Sequence, residues 1–143
     1  MQITRQADYA VRAVLHLARL APTAQASTAH IAKAEGIPVH FLAKIVSQLT
    51  QADILRTTRG ARGGVSLAHP PEELSLLQVV EAIDGPVELN VCVLHPERCP
   101  EGSTCVVRPF WQEAQAILVE SLGRARFSRF AQNGHPVEFV PAG

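Results

Sequence analysis

No run of apolar residues in this chain approaches the roughly 18 needed to cross a bilayer. Residues Met1 to Asp8 are polar, where a secretory leader would carry an apolar stretch. The two absences lead to the expectation of a cytoplasmic protein with no membrane partner. Aromatic residues make up only 5% of the 143 positions. That is thin material for a β-sandwich, whereas the abundant Ala, Leu and Val favour helices. Cysteine occurs three times, at Cys92, Cys99 and Cys105. An odd count argues against a simple disulfide framework, and disulfides are rare in reducing compartments. There is also no phosphate-binding glycine loop, no His-Glu-x-x-His and no nucleophile setting for Ser or Cys. The chain is therefore read as a non-enzyme.

The net charge is zero, but its distribution is not even. Residues 1–70 carry eight Lys or Arg against three acids, a net of +5, and residues 71–143 carry five Arg against ten acids, a net of −5. The first half would attract a polyanion and the second would repel it.

Residues Thr4 to Leu20 have apolar positions at helical spacing, with Pro22 as the stop. Ser27 to Gly36 reads as a short helix, with Ser27 or Thr28 as N-cap and Gly36 as C-terminal stop. After Ile37-Pro38, a second helix is predicted over Val39 to Ala52, with Phe41, Leu42, Ile45, Val46 and Leu49 on its apolar face. Two short helices joined by a glycine-containing turn match a helix-turn-helix. Two β-prone runs, Ile54 to Thr58 and Val65 to Ala68, then flank the glycine- and arginine-rich stretch Arg59 to Gly64. This is a hairpin pattern. The unit predicted for residues 1–71 is a winged helix-turn-helix.

Residues 72–143 are read as a second part. A helix is predicted over Ser75 to Ile83, stopped by Asp84-Gly85-Pro86. A cysteine loop over 86–107 follows, without helical or strand periodicity, and then a long helix over 108–123. The apolar stripe of that helix, Phe110, Trp111, Ala114, Ile117, Leu118 and Leu122, needs a surface to cover it. A second copy of the chain is the simplest one, so a homodimer is expected. The tail after Gln132 is expected to pack loosely. The fold class is mainly α with a small β wing.

The exposed face of the second short helix is expected to carry Pro38, His40, Lys44, Ser47 and Gln48. Helix N-terminal residues meet base edges in this motif; Gln pairs with adenine, Ser with several edges, and Lys44 suits a phosphate. In the wing, Arg59 and Arg62 supply charge and planar donors. Gly60, Gly63 and Gly64 allow the backbone to approach a surface closely. The alternative is an ordinary solvated face with a flexible hairpin beside it.

The cysteine spacing is C-x6-C-x5-C. Neither interval matches the paired C-x2-4-C knuckles of structural zinc, and wider spacing suits an iron–sulfur cluster. Three thiolates leave one of the usual four ligands open. Asp8, reaching over from a partner subunit, and His95, inside the loop, are both candidates. Asp8 also reads as a first-turn acid favoured by the helix dipole.

Several segments together resemble the Rrf family of bacterial winged-helix regulators, of the IscR, NsrR and RirA type. They are Ile3-Thr-Arg-Gln-Ala-Asp-Tyr-Ala-Val11, Ile31-Ala32, Gly36-Ile-Pro38, Leu42-x-Lys-Ile-x-x-x-Leu49, Arg59-Gly-Ala-Arg-Gly-Gly64, Ser75-Leu-Leu-Gln-Val-Val-Glu-Ala-Ile-Asp-Gly85 and the three cysteines. The resemblance implies a homodimer on a palindromic operator and a 2Fe–2S or 4Fe–4S cluster whose state changes DNA affinity. Some members use a histidine three residues after the last cysteine as fourth ligand, and here that residue is Arg108. Members resembling the nitric-oxide sensor use an acid in the first helix, which Asp8 matches.

The expected function is a dimeric transcriptional regulator, as a rule a repressor, controlled by a cluster that senses nitric oxide, redox or iron status. A cluster-free regulator controlled by its thiols or by a partner protein is the alternative. An iron–sulfur carrier that never binds DNA is a third, against which the Arg/Gly wing speaks.

Overall fold

In a computed structural model, residues 2–22, 24–98 and 105–132 are described, with Val91 and Cys92 described by backbone alone. Helix α1 (Arg5–Ala18) starts where the Thr4 side chain accepts a hydrogen bond from the Ala7 amide. It buries Ala7, Ala10, Ala13, Val14 and Leu17, a stripe at three- and four-residue spacing. Helix α2 (Thr28–Glu35) has the two ends its sequence predicts. The Ser27 side chain caps its start, and Gly36 ends it at φ +66°, a left-handed conformation that suits glycine. Helix α3 (Val39–Gln51) begins directly after Pro38.

Strands β1 (Leu55–Thr58) and β2 (Gly64–Leu67) pair antiparallel, with Leu55 opposite Leu67 and Thr58 opposite Gly64. A single-residue bridge between Ala26 and Val65, made by two backbone hydrogen bonds, fastens the wing to the segment leading into α2. Helix α4 (Leu76–Asp84) starts in a reciprocal capping box between Ser75 and Gln78 and ends at Gly85, φ +80°. Helix α6 (Arg108–Arg124) is the long helix expected near the end.

Two elements go beyond the sequence reading. The cysteine segment opens with one helical turn, α5 (Val91–Leu94), and a 3₁₀ turn over Pro96–Arg98. Elements this short are below the length at which periodicity can be read. A short helix α7 (Phe127–Gln132) follows α6. Backbone hydrogen bonds between Leu76 and Ala125, and between Phe127 and Leu74, hold it against the start of α4. The tail expected to pack loosely, 133–143, lies outside the described residues.

One apolar core joins these parts. Val14, Ile31, Leu42, Ile45, Leu49, Leu55 and Val65 pack in the same cluster as Leu74, Val79 and Phe127. Packing is therefore continuous across position 71, with α4 and α7 laid against α1. One side chain departs from the expected inward face. Phe41 is 42% exposed, and its neighbour Val39 is 53% exposed. The arc of α3 covered by α1, α2 and α4 takes only Leu42, Ile45, Val46 and Leu49. Phe41 lies on the flank of that arc, one position before Leu42, and points to solvent.

Candidate nucleic-acid interface and cysteine segment

The turn between α2 and α3 is closed by backbone hydrogen bonds from Ile37 to Ala32 and from Leu42 to Pro38. Behind it, His16 near the end of α1 meets Glu35 at the end of α2, Nδ1 to Oε1 at 2.9 Å. This largely buried contact braces the helix-turn-helix from the inside. On the outer face, Pro38, His40, Lys44 and Ser47 are exposed. Gln48 is half-buried, and its Oε1 is out of water with no partner among the described residues. Its amide end is thus less free to meet a base than the sequence position implies.

In the wing, Leu55 and Val65 point inward while Arg56, Arg59 and Arg62 are exposed. The tip is a tight turn in which the Gly63 amide donates to the Gly60 carbonyl at 2.9 Å. Gly60 has φ +107°, and a Cβ on Gly63 would sit 2.0 Å from the Thr58 carbonyl oxygen. A Cβ on Gly64 would come within 3.0 Å of the Ala26 carbonyl oxygen. The glycines therefore set the shape of a tip that carries two guanidinium groups. Among the described residues neither Arg59 nor Arg62 has an acidic partner.

In the cysteine segment, Cys92 lies in α5. Cys99 lies outside the described residues. Cys105 is a half-buried free thiol just before α6, and the Arg108 amide turns back toward its carbonyl at 3.4 Å. The Arg108 Nε is buried and has no partner among the described residues. His95 Nδ1 lies 3.3 Å from Glu97 Oε1. Hydrogen bonding to backbone and the neighbouring His95 hold the Glu97 carboxyl below its ordinary value. Asp8 is exposed in the first turn of α1 and paired with Arg12 at 2.9 Å. Among the described residues no three or more His, Cys, Asp or Glu side chains are grouped to hold a metal.

Two polar contacts, one to the start of the cysteine segment and one between α1 and α4, were missed in the sequence. Gln115, in the middle of α6, is only 7% exposed. Its Oε1 accepts from the Leu89 amide at 2.9 Å, and its amide nitrogen donates to the Val87 carbonyl. A glutamine inside an apolar stripe was the available signal. Asp84, at the end of α4, accepts from both the amide and the hydroxyl of Thr4. A pair 80 positions apart leaves no local trace in the sequence.

Comparison with known proteins gives a consistent picture. Residues 3–133 match the family Rrf2, described as "Iron-dependent Transcriptional regulator". A Mycobacterium tuberculosis protein named as a helix-turn-helix-type transcriptional regulator is 40% identical over 118 residues, covering 82% of this chain and 73% of its own length. The transcriptional regulator NsrR of Halalkalibacterium halodurans is 31% identical over 122 residues, covering 85% and 80%. Among solved structures, CymR, the global cysteine regulator of Bacillus subtilis, has the same fold with a TM-score of 0.76 at 22% identity, covering 93% of this chain and 98% of its own.

Proposed function

The chain belongs to the Rrf2 family of DNA-binding transcriptional regulators, which are not enzymes, and from that premise we propose a homodimeric regulator, acting as a repressor, whose operator affinity is set by an iron–sulfur cluster. The observation that carries this reading is the position of the cysteine segment. It lies between α4, which is packed on the DNA-reading unit, and α6, whose outer face is apolar and uncovered.

On the DNA side, His40, Lys44 and Ser47 face outward from α3, with Gln48 partly withdrawn, and Arg59 and Arg62 stand at a glycine-shaped wing tip. These residues would bind an operator duplex, with phosphate contacts dominating affinity. On the dimer side, Val106, Phe110 and Ile117 are 82%, 68% and 61% exposed. Large apolar side chains on α6 and just before it favour a second copy as the cover.

Cys92, Cys99 and Cys105 would hold the cluster, and Asp8 of a partner subunit or His95 would complete the set. The donor set is chemically suited, since soft thiolates favour iron–sulfur centres. A buried Arg108 Nε without an acceptor among the described residues, one turn from Cys105, fits a nearby anionic group. His95 meets Glu97 and Asp8 pairs with Arg12, so either would give up a partner on becoming a ligand; the first-helix acid of members resembling the nitric-oxide sensor favours Asp8 and with it a nitric-oxide or redox signal. When bound, the cluster supplies a centre whose loss or oxidation changes the charge and shape of the segment. The chain's own residues carry that change onward. Gln115 grips residues 87–89, and Asp84 holds the start of α1. Because two recognition helices must match successive turns of DNA about 34 Å apart, a small shift alters affinity.

A cluster-free regulator controlled by its thiols or by a partner protein is the second reading, in which Cys105, a half-buried free thiol, would respond directly. Anaerobic purification with iron and sulfide analysis, followed by DNA binding of the loaded and stripped protein, tests the two. A coloured protein whose DNA affinity changes on cluster removal is expected. A colourless protein after anaerobic reconstitution, still binding DNA, leaves the thiol reading.

A further inference from the structure

The side chains that the fold turns outward at the start of α3 are mainly apolar. Val39 is 53% exposed and Phe41 is 42% exposed, and Ala43 is exposed beside them. The Phe41 and His40 rings lie against one another, centroids 4.5 Å apart and tilted by 36°. This contact limits the freedom of both rings. Successive helical residues turn by about 100°, so Val39 and Phe41 stand on opposite flanks of the exposed arc, with His40 and Ala43 between them, and a groove about as wide as the helix meets both flanks. The helix carries no acid, its only cation is Lys44, and the wing beside it presents Arg56, Arg59 and Arg62. The setting of this arc is thus matched to a polyanion. The apolar surface suited to a protein partner is the separate one on α6.

In the major groove the thymine C5 methyl is the one apolar group on a base edge, and apolar side chains read it by contact. Residues at the N-terminal end of a recognition helix are the ones that reach base edges. We propose that Val39 and Phe41 are specificity-determining residues that pack against thymine methyl groups in the operator, with His40 holding the Phe41 ring in place. This rests on the placement of α3 in the major groove proposed above.

The test is in-vitro selection of a duplex from a random pool with the full chain, followed by replacement of each thymine with uracil. That exchange removes the methyl and keeps the pairing. The expected result is a loss of about fourfold in affinity at one or two positions per half-site, the value of one buried methyl group. Phe41→Ala and Val39→Ala are expected to bind the thymine duplex about as weakly as wild type binds the uracil duplex, and to lose the distinction between them. Wild type that binds both duplexes equally overturns the proposal, whatever the variants do. Variants that keep the full thymine preference overturn it as well. Failure to select any duplex would overturn the DNA-binding premise itself, a result distinct from a selected duplex that is indifferent to the methyl.

Discussion

Thr4 and Asp84 join the start of α1 to the end of α4. The Thr4 hydroxyl donates to Asp84 Oδ1 at 2.5 Å, and the Thr4 amide donates to Oδ2 at 3.2 Å. The same hydroxyl accepts from the Ala7 amide at 3.1 Å. One threonine therefore caps α1 and fixes it to the last residue of α4, from which the chain runs on toward the cysteines.

Thr4→Ala is expected to destabilise the fold by about 1–2 kcal/mol, from loss of the cap and of the carboxylate's partner. Thr4→Ser should be near neutral. Asp84→Ala should cost less, and the double variant should cost less than the two single effects added, because the residues share one interaction. Urea unfolding of the four proteins measures this.

Gln115→Ala leaves the Val87 carbonyl and the Leu89 amide without their partner. The expected cost is about 1–3 kcal/mol. The proposed link between the cysteines and α6 predicts a second effect: a smaller difference in DNA affinity between loaded and stripped protein. Calorimetric unfolding and paired binding titrations read the two separately.

Arg59→Ala and Arg62→Ala are expected to weaken binding about equally on all sequences. Each should lower the slope of log affinity against log salt by about one, as loss of a phosphate contact does. Gly63→Ala should weaken binding further by deforming the wing tip, since its Cβ would meet the Thr58 carbonyl oxygen at 2.0 Å. Salt titrations on one duplex separate these outcomes.

Cys99→Ala and Cys105→Ala are expected to abolish iron retention after anaerobic purification. Asp8→Ala should change the visible spectrum if Asp8 is the fourth ligand. An unaltered cluster spectrum in that variant would assign the ligand elsewhere, with His95→Ala the next variant to examine.

Ile117→Glu, which places a charge on the exposed face of α6, is expected to halve the mass measured by sedimentation equilibrium. Ile117 is 61% exposed in the single chain, so the variant should keep its helical content. An unchanged mass would move the dimer contact away from this helix.

Much of the local structure was legible because it is written in neighbouring residues. Ser27 and Gly36 bound α2, Ser75 with Gln78 starts α4, and Arg59 to Gly64 forms the wing tip as read. The short elements escaped: α5 and α7 are too brief for a periodic pattern, and α7 depends on Phe127 finding the space beside Leu74. Of the residues proposed to face DNA, His40, Lys44 and Ser47 are exposed as their spacing implied, while Gln48 is partly turned in. The three cysteines were visible as a set, but their mutual geometry belongs to no local pattern.

The sequence by itself determined where helices begin and end, which face of each is apolar, and that positive charge gathers in residues 1–70. Caps, glycine conformations and three- and four-residue spacing act between near neighbours, so they can be read along the chain. Only the tertiary structure decided that Phe41 faces solvent, that Gln115 is buried against residues 87–89, and that Thr4 meets Asp84. Which arc of a helix is covered, and which distant polar groups find each other, depends on how the other helices pack. That packing minimises exposed apolar area over the whole chain at once, and no single segment records it.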